Sequence, residues 1–275
     1  MTAAALILRR YAVSMTALTV LAAAATVRGD EARALLDRVK QLNQTTRKWT
    51  DRVQRLQLAV VSRRGDEARR DLEVFTKRYG DDASRSIMFF HAPPPVEGIG
   101  FLQWTAPSEP DRQWLYLPAL KRVRQISGGA RTESFAGTDF SYEDLAIMQD
   151  VLDWGEDRAA TRVVGEQTVD GHVSDIIELS PTPAADVSYG KIRLWLSRDE
   201  QVVRKYELVD AEGQLLKTLV LSDIRQEGAI PAAHHLEIRN ERSGSHTTVD
   251  LTALRYDTGL DDDFFTQRRL EKGVS

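Results

Sequence analysis

Most of the chain alternates apolar and polar side chains with a period of two, which is typical of strands with one buried face. In the first such segment Leu56, Leu58 and Val60 share one face, while Arg55 and Gln57 share the other. Similar segments follow at regular spacing, so the pattern predicts a mainly antiparallel sheet. The further predicted strands are 67–79, 84–91, 99–105, 112–117, 121–127, 158–169, 172–180, 189–197, 201–210, 214–226, 232–242 and 245–256.

A few segments interrupt the strands. Residues 30–49 have near-helical apolar spacing, and residues 141–147 predict a short helix with Ser141 as its N-cap. Asp261-Asp262-Asp263 before Phe264-Phe265 predicts a capped terminal turn of helix. Asp170-Gly171 and Glu212-Gly213 predict hairpin turns. No linker divides residues 30–275, so we expect one domain, and the alternation by itself leaves sandwich and barrel open.

The N-terminus predicts a secretory signal peptide over residues 1–29. Arg9 and Arg10 precede an uncharged stretch from Tyr11 to Ala25. A basic start, a short apolar stretch and small residues at a cleavage site describe such a leader. Ala23-Ala24-Ala25 and Val27-Arg28-Gly29 are the candidate cleavage sites. The apolar stretch is shorter than the ~20 residues of a membrane span, so we expect a soluble exported protein.

The composition excludes further classes of function. The chain has no cysteine, so it folds without disulfides and lacks the cysteine through which bacterial lipoproteins are anchored. Removal of residues 1–25 takes away Arg9 and Arg10 and no acid, so the net charge falls from −4 to −6. Nucleic-acid binders usually carry a basic excess, and we therefore expect no nucleic-acid partner.

The sequence offers little to catalysis. It contains no G-x-S-x-G motif and no cysteine nucleophile. His234 and His235 are adjacent on a predicted strand and therefore point to opposite faces, which disfavours a shared metal. We expect no enzyme activity, no metal site and no cofactor.

Residues 112–145 carry the most specific signal. An aromatic strand, Trp114-Leu115-Tyr116-Leu117, leads through Pro118 into the basic strand 121–126 and then into the glycine-bearing segment 137–145. Together with Phe101-Leu102 and residues 213–219, these motifs resemble the LolA-like outer-membrane lipoprotein-sorting family over roughly residues 50 to 271.

The resemblance implies both a fold and a function. The fold would be mainly β with some α, an unclosed antiparallel half-barrel wrapped around a few short helices. The function would be that of a periplasmic carrier that binds lipid or lipoprotein acyl chains in an apolar cavity. Its partners would include an inner-membrane transporter or an outer-membrane acceptor, and we expect a monomer. Two alternatives remain open: a lipid-sensing regulatory protein, and an accessory subunit of a resistance-nodulation-division-type transport system.

An acyl-chain carrier needs a deep apolar slot, because each exposed CH₂ costs about 0.8 kcal/mol. Aromatic and aliphatic residues of the motifs are the candidates for its wall, although each could instead fill the core. Phe140 and Tyr142 alternate with acids, which favours a mobile lid. The candidate lipid-binding residues are Leu56, Leu58, Val60, Trp104, Trp114, Tyr116, Phe135, Phe140, Tyr142 and Trp195. Lys121, Arg122 and Arg124 are candidates for contact with an anionic head group, with a solvated strand face as the alternative.

Export makes a first testable prediction. We expect the mature protein to begin between Ala25 and Glu31 and to fractionate with soluble periplasmic contents, because the leader matches a cleavable signal peptide. N-terminal sequencing and intact mass of material from the native host would measure this. Recovery of Met1 in the membrane fraction would contradict it.

Overall fold

The computed structural model describes residues 29–80, 82–106 and 109–273. The predicted signal peptide thus lies outside the described residues except for Gly29, and its cleavage stays a prediction. In the described part of the chain, no helix combines the length and apolar character that a membrane crossing requires.

One antiparallel sheet dominates the described residues, and each strand that the alternation predicts is present in it. The bounds differ from the predicted ones by a few residues at most ends. The thirteen strands are β1 (Asp51–Val61), β2 (Glu67–Tyr79), β3 (Ala83–Ala92), β4 (Gly100–Ala106), β5 (Glu109–Leu117), β6 (Arg122–Ile126), β7 (Ala159–Val169), β8 (His172–Pro181), β9 (Lys191–Ser197), β10 (Val203–Val209), β11 (Leu215–Glu227), β12 (Ile230–Asn240) and β13 (His246–Tyr256).

The strand order explains why the sheet is unclosed. The order is β6-β5-β4-β3-β2-β1-β13-β12-β11-β10-β9-β8-β7, so the first and last strands pair in the middle. Strands β6 and β7 form the two edges and do not pair with each other. Hairpin connections account for every other neighbour, and β1 with β13 is the one long-range pairing. The predicted fold class, an unclosed antiparallel half-barrel with a few short helices, is confirmed.

Three helices accompany the sheet in the described residues. The described part of α1 covers residues 29–44, so Trp49, predicted to end it, lies instead in the link to β1. Helix α2 (Tyr142–Asp150) begins where predicted. The Ser141 hydroxyl accepts from the Asp144 N–H at 3.2 Å, and the Asp144 carboxylate accepts from the Ser141 N–H at 2.7 Å. This reciprocal capping box fixes the start of the helix.

The C-terminal segment is a short 3-10 turn, Asp262–Phe265, followed by α3 (Gln267–Lys272). The turn lies where predicted, but the expected cap is absent, since the Asp261 side chain makes no capping hydrogen bond. The Thr266 hydroxyl instead caps α3 by accepting from the Arg269 N–H at 3.2 Å.

Alternation gives the sheet two differently covered faces. On the inner face, strand residues pack against α1 and α2 through side chains such as Leu36 and Ile147. On the outer face, alternate residues of β1–β5 pack beneath the C-terminal segment around Phe265 and Leu270. Because successive strand residues point to opposite sides, the parity of a position decides which face it joins.

Asp51, the first residue of β1, holds the C-terminal segment in place. Its buried carboxylate accepts hydrogen bonds from the N–H groups of Thr258 at 2.7 Å, Gly259 at 2.9 Å and Leu260 at 3.2 Å. The Thr258 hydroxyl donates a fourth at 2.6 Å. Burial by itself would raise the pKa of Asp51, but these hydrogen bonds outweigh it and hold the pKa below its ordinary value.

We expect Asp51→Asn to lower the free energy of unfolding at neutral pH by about 1.5–3 kcal/mol, because hydrogen bonds to an ionised group are lost. Because the pKa of Asp51 is lower in the folded state, its ionised form stabilises the fold at pH values above the ordinary pKa of 3.8. This contribution is lost as the pH falls from there through the lower, folded-state pKa. The deficit should therefore shrink in acid. Urea unfolding between pH 3 and 7 measures it, with exposed Asp71→Asn as the control. A deficit independent of pH would contradict the role of the charge.

Candidate functional site

A cavity of about 480 Å³ lies between the inner face and helix α2. That volume falls within the ~300–1,000 Å³ typical of small-molecule sites. Strands β1–β4 form one side, strands β11–β13 form the other, and α2 and the preceding segment cover it. The apolar lining residues are Trp49, Leu56, Leu58, Leu72, Val74, Met88, Phe135, Phe140, Leu145, Met148, Leu221, Ile230, Pro231, Ala233, Leu236, Val249 and Leu251.

The cavity is polar at one end and apolar at the other, and β1 shows this most directly. Its inner positions read Arg52, Gln54, Leu56 and Leu58 in order, and all four line the cavity. At about 3.3 Å per residue, the six steps from Arg52 to Leu58 span about 20 Å. The lining therefore changes from cationic to aliphatic along a single strand.

The neighbours of β1 repeat this gradient because antiparallel pairing places their polar residues beside Arg52. At the polar end, Arg52 lies opposite Thr76 of β2 and Tyr256 of β13. At the apolar end, Leu56 lies opposite Leu72 of β2 and Leu251 of β13. The register of these three strands therefore places polar residues at one end of the cavity and apolar residues at the other.

Trp49 organises the polar end. The guanidinium carbon of Arg52 lies 4.8 Å from the centre of the indole ring, and that of Arg78 lies 4.4 Å from it. The Arg78 Nη1 also donates to the Asn43 carbonyl at 3.1 Å. Arg47, the third lining arginine, donates to the carbonyls of Glu200 and Gln201. Cation–π contact therefore fixes two guanidinium groups beside one aromatic ring.

These arginines lack anionic partners. Among the described residues, neither Arg47, Arg52 nor Arg78 forms an ion pair, and the buried Arg52 Nε has no hydrogen-bond partner. Burial lowers the pKa of Arg52 and the charge of Arg78 lowers it further, while a hydrogen bond with Tyr256 opposes both. Burial likewise lowers the pKa of Arg78, while Asp153 opposes this from beyond ion-pair distance. Burial also raises the pKa of Asp153 to about 6.

Three buried acids attach α2 and the segment before it to the rest of the fold: Asp139 precedes the helix, and Glu143 and Asp144 lie in its first turn. The Asp139 carboxylate accepts from the Thr247 hydroxyl at 2.7 Å, and Glu143 accepts from the Ser188 N–H at 2.5 Å. Asp144 accepts from the Tyr189 hydroxyl at 2.6 Å and forms an ion pair with Lys217. All three acids are at most 8% exposed. They attach the segment to β13, to the link before β9 and to β11.

The comparisons with known proteins agree with this architecture. A family model for an uncharacterised protein matches residues 82–272. A putative outer membrane lipoprotein-sorting protein domain from Vibrio parahaemolyticus is 25% identical, with a TM-score of 0.79, over 88% of this chain and 99% of that one. A DUF1329 family protein from Desulfovibrio piger is 27% identical, with a TM-score of 0.81, over the same shares.

A LolA superfamily protein from Nitrosomonas europaea shares the fold, with 16% identity and a TM-score of 0.66 over 86% of this chain and 98% of that one. No curated protein matches the chain significantly. The chain belongs to the uncharacterised family and has the LolA-like fold. The resemblance inferred from the sequence motifs is thereby confirmed.

Four of the candidate lipid-binding residues line the cavity of this LolA-like protein: Leu56, Leu58, Phe135 and Phe140. Val60 continues the inner positions of β1 beyond the cavity lining. Tyr142 lies behind the wall, its ring 5.6 Å from those of Phe101 and Phe135. Their contact with lipid stays a prediction.

The prediction that Trp104, Trp114 and Tyr116 form cavity wall or lid is wrong. All three occupy outer-face positions beneath the C-terminal segment. Trp104 and Trp114 meet edge to face at 5.1 Å, and the Trp104 Nε1 donates to the Phe265 carbonyl at 3.0 Å. The adjacent residues in β4 and β5 point inward instead. The aromatic residues therefore predicted the strands correctly but not the face of the sheet on which they lie.

Trp195 does not line the cavity either. It alternates with Ile192, Leu194 and Leu196, which belong to the inner core. Its Nε1 donates to the Gln167 Oε1 at 2.8 Å, and Lys205 lies 4.3 Å from its ring centre.

The three candidate head-group contacts do not line the cavity either. Lys121, Arg122 and Arg124 are exposed at the β6 edge, and Arg124 forms an ion pair of 3.5 Å with Glu133. The arginines at the cavity are Arg47, Arg52 and Arg78, which the sequence analysis missed. A signal existed for Arg52, since it shares the parity of Leu56 and Leu58 and so places a charge on their inner face.

The lid hypothesis for Phe140 and Tyr142 rested on acids that face water. The structure contradicts that premise, because Asp139, Glu143 and Asp144 are buried and hydrogen-bonded to the sheet. Phe140 and Tyr142 are 6% and 3% exposed. The segment is therefore a fixed wall of the site.

We now expect the double change Phe140→Ser, Tyr142→Ser to destabilise the protein strongly, since truncation of a buried aromatic costs about 3–5 kcal/mol. Thermal unfolding followed by circular dichroism measures this, and Val164→Ser, at a 37% exposed position, is the control. An unchanged melting temperature with lost uptake of a fluorescent acyl probe would instead restore the mobile lid.

Proposed function

We propose that this protein is a periplasmic carrier that holds lipid or lipoprotein acyl chains in the cavity. It transfers them between membranes, or to and from an exporter, and performs no chemical step. The observation that carries the proposal is the cavity itself, with its continuous aliphatic half on a preformed sheet.

Energetics favour an acyl chain as the occupant of that half. Each CH₂ that leaves water contributes about 0.8 kcal/mol, so a long chain offsets the cost of extraction from a bilayer only if most of it is enclosed. Leu56, Leu58, Leu72 and Leu251 provide such an enclosure from three adjacent strands. Phe135 and Phe140 close it from the opposite side.

The comparisons support the cellular role. The neighbour from Vibrio parahaemolyticus is described as a putative outer membrane lipoprotein-sorting protein domain, and 99% of it aligns with this chain. We carry that role over as part of the proposal, together with export by residues 1–29 and a mature domain of residues 30–275. A transporter in the inner membrane or an acceptor in the outer membrane would exchange cargo with it.

Blocking the apolar half tests the proposal. Leu251→Trp adds an indole at the position opposite Leu56 and should reduce uptake of a fluorescent fatty-acyl probe by about tenfold or more, because the ring occupies the space of the chain. Probe titration gives the affinity. Transfer of a labelled phospholipid between donor and acceptor vesicles gives the carrier activity, and it should fall in parallel.

Val173→Trp is the matched control, since Val173 is 44% exposed and does not line the cavity. It should bind and transfer as the unmodified protein does. If the unmodified protein takes up no acyl probe, or if Leu251→Trp binds it equally well, the cavity is not a lipid site and the proposal fails.

A further inference from the structure

Two cationic groups at the polar end of the cavity have no counter-ion in the described part of the chain. Arg52 and Arg78 project from adjacent strands and meet at Trp49, at 4.8 Å and 4.4 Å from its ring centre. Neither forms an ion pair, and the Arg52 Nε is buried without a hydrogen-bond partner.

Several other polar groups of this end are, by contrast, satisfied by the protein. The Gln149 Nε2 donates to the Ser84 hydroxyl at 2.6 Å, and that hydroxyl lies 2.8 Å from the Thr105 hydroxyl. Thr76 and Ser86 share a buried hydrogen bond of 3.2 Å. Among the described lining residues, the buried donors without a partner are the Arg52 Nε and the Gln103 Nε2.

Such an arrangement is costly unless something completes it. Two like charges close together in a poorly solvated site repel each other, and a buried donor without a partner costs about 1–3 kcal/mol. By contrast, the buried carboxylate of Asp144 is paired with Lys217. An oxyanion between Arg52 and Arg78 would remove both penalties, since a guanidinium matches the geometry of a carboxylate or phosphate.

We propose that the cavity selects an amphiphile with an anionic head group, whose carboxylate or phosphate binds Arg52 and Arg78 while its acyl chain lies along the leucines of β1. This inference rests on the proposed function and specifies the class of cargo. Trp49 acts as a positioning residue, because its ring fixes the directions of both guanidinium groups.

The geometry sets the orientation of the ligand. Head group and tail are separated along one strand, from Arg52 to Leu58, so the chain enters with its charged end beside Trp49 and its tail toward Leu58 and Leu236. The reverse orientation would bring an oxyanion against aliphatic lining residues and is disfavoured, since Arg70, which lies opposite Leu58 on β2, does not line the cavity. An uncharged acyl ester fits the apolar half equally well but leaves the arginines unpaired.

The experiment compares two probes that differ only at the head. A fluorescent anthroyloxy-stearic acid and its uncharged methyl ester are titrated into the protein at pH 8, where the acid is ionised. We expect the unmodified protein to bind the acid about tenfold or more tightly than the ester, from charge-assisted hydrogen bonds.

The variant Arg52→Gln, Arg78→Gln should lose this preference and keep its affinity for the ester. The matched control is Arg55→Gln, Arg69→Gln, which removes two exposed arginines from the same two strands and the same amount of charge. It should keep the preference of the unmodified protein. Melting temperatures of all three forms show whether each is folded.

Competition identifies the kind of oxyanion. Lysophosphatidic acid, palmitate, monopalmitoyl glycerol and inorganic phosphate each displace the bound acid probe in separate titrations. Displacement by the two charged amphiphiles and weak displacement by the glycerol ester support the inference. Stronger displacement by lysophosphatidic acid assigns a phosphate head, and the reverse order assigns a carboxylate.

These measurements distinguish a failure of the proposed carrier function from a failure of the anionic-head inference. If neither probe binds the unmodified protein, the proposed carrier function fails. If acid and ester bind equally, or if the preference survives in the folded double variant, the anionic-head inference is overturned and the carrier function stands. The comparison of acid with ester in the unmodified protein decides the matter even if the double variant does not fold. Displacement by inorganic phosphate without an acyl chain would show an ion site in place of an amphiphile site and would also overturn the inference.

Discussion

The pairing of β1 with β13 is the constraint on which the rest of the structure depends. It joins the two halves of the sheet and fixes which residues of β1 point inward. Because a shift of one residue would exchange the two faces, this register decides at once where the leucines lie, where Arg52 lies, and which side carries the C-terminal segment. Asp51 reinforces it, since its carboxylate ties the start of β1 to residues 258–260 just after β13.

The two faces of the sheet have different roles. The outer face of β1–β5 is sealed by aromatic packing beneath Phe265 and Leu270, which makes that half of the sheet a rigid support. The inner face is covered by helices and by the segment before α2, and this cover leaves a cavity. A carrier requires this combination, since the sheet must hold its curvature whether or not the cavity is filled.

The buried charged residues fall into two groups that differ in their hydrogen-bond and ion-pair partners. The acids before and at the start of α2 accept from hydroxyl, backbone and lysine donors, so they attach one element to another. Arg52 and Arg78 are matched to an aromatic ring and to no acid. The first pattern satisfies the buried charges within the protein, whereas the second is the one that we propose a ligand completes. A charge placed on an inner face can therefore mean either anchoring or recognition, and the presence of partners distinguishes the two.

The sequence by itself determined the strands, the hairpin turns, the start of α2 and the family resemblance, because these depend on alternation and on local hydrogen bonding at positions such as Ser141 and Asp170. It also placed Leu56 and Leu58 on one face.

The sequence misplaced Trp104, Trp114 and Tyr116 because aromatic side chains suit either face of a sheet. Only the C-terminal segment, about 150 residues away in sequence, determines which face buries them. It misjudged the acids around Phe140 for a similar reason, since their partners at 188, 189, 217, 245 and 247 are distant in the chain. The meeting of Arg52, Arg78 and Trp49 was likewise decided by tertiary structure, because register and the return of the chain after α1 bring together three residues that no local pattern connects.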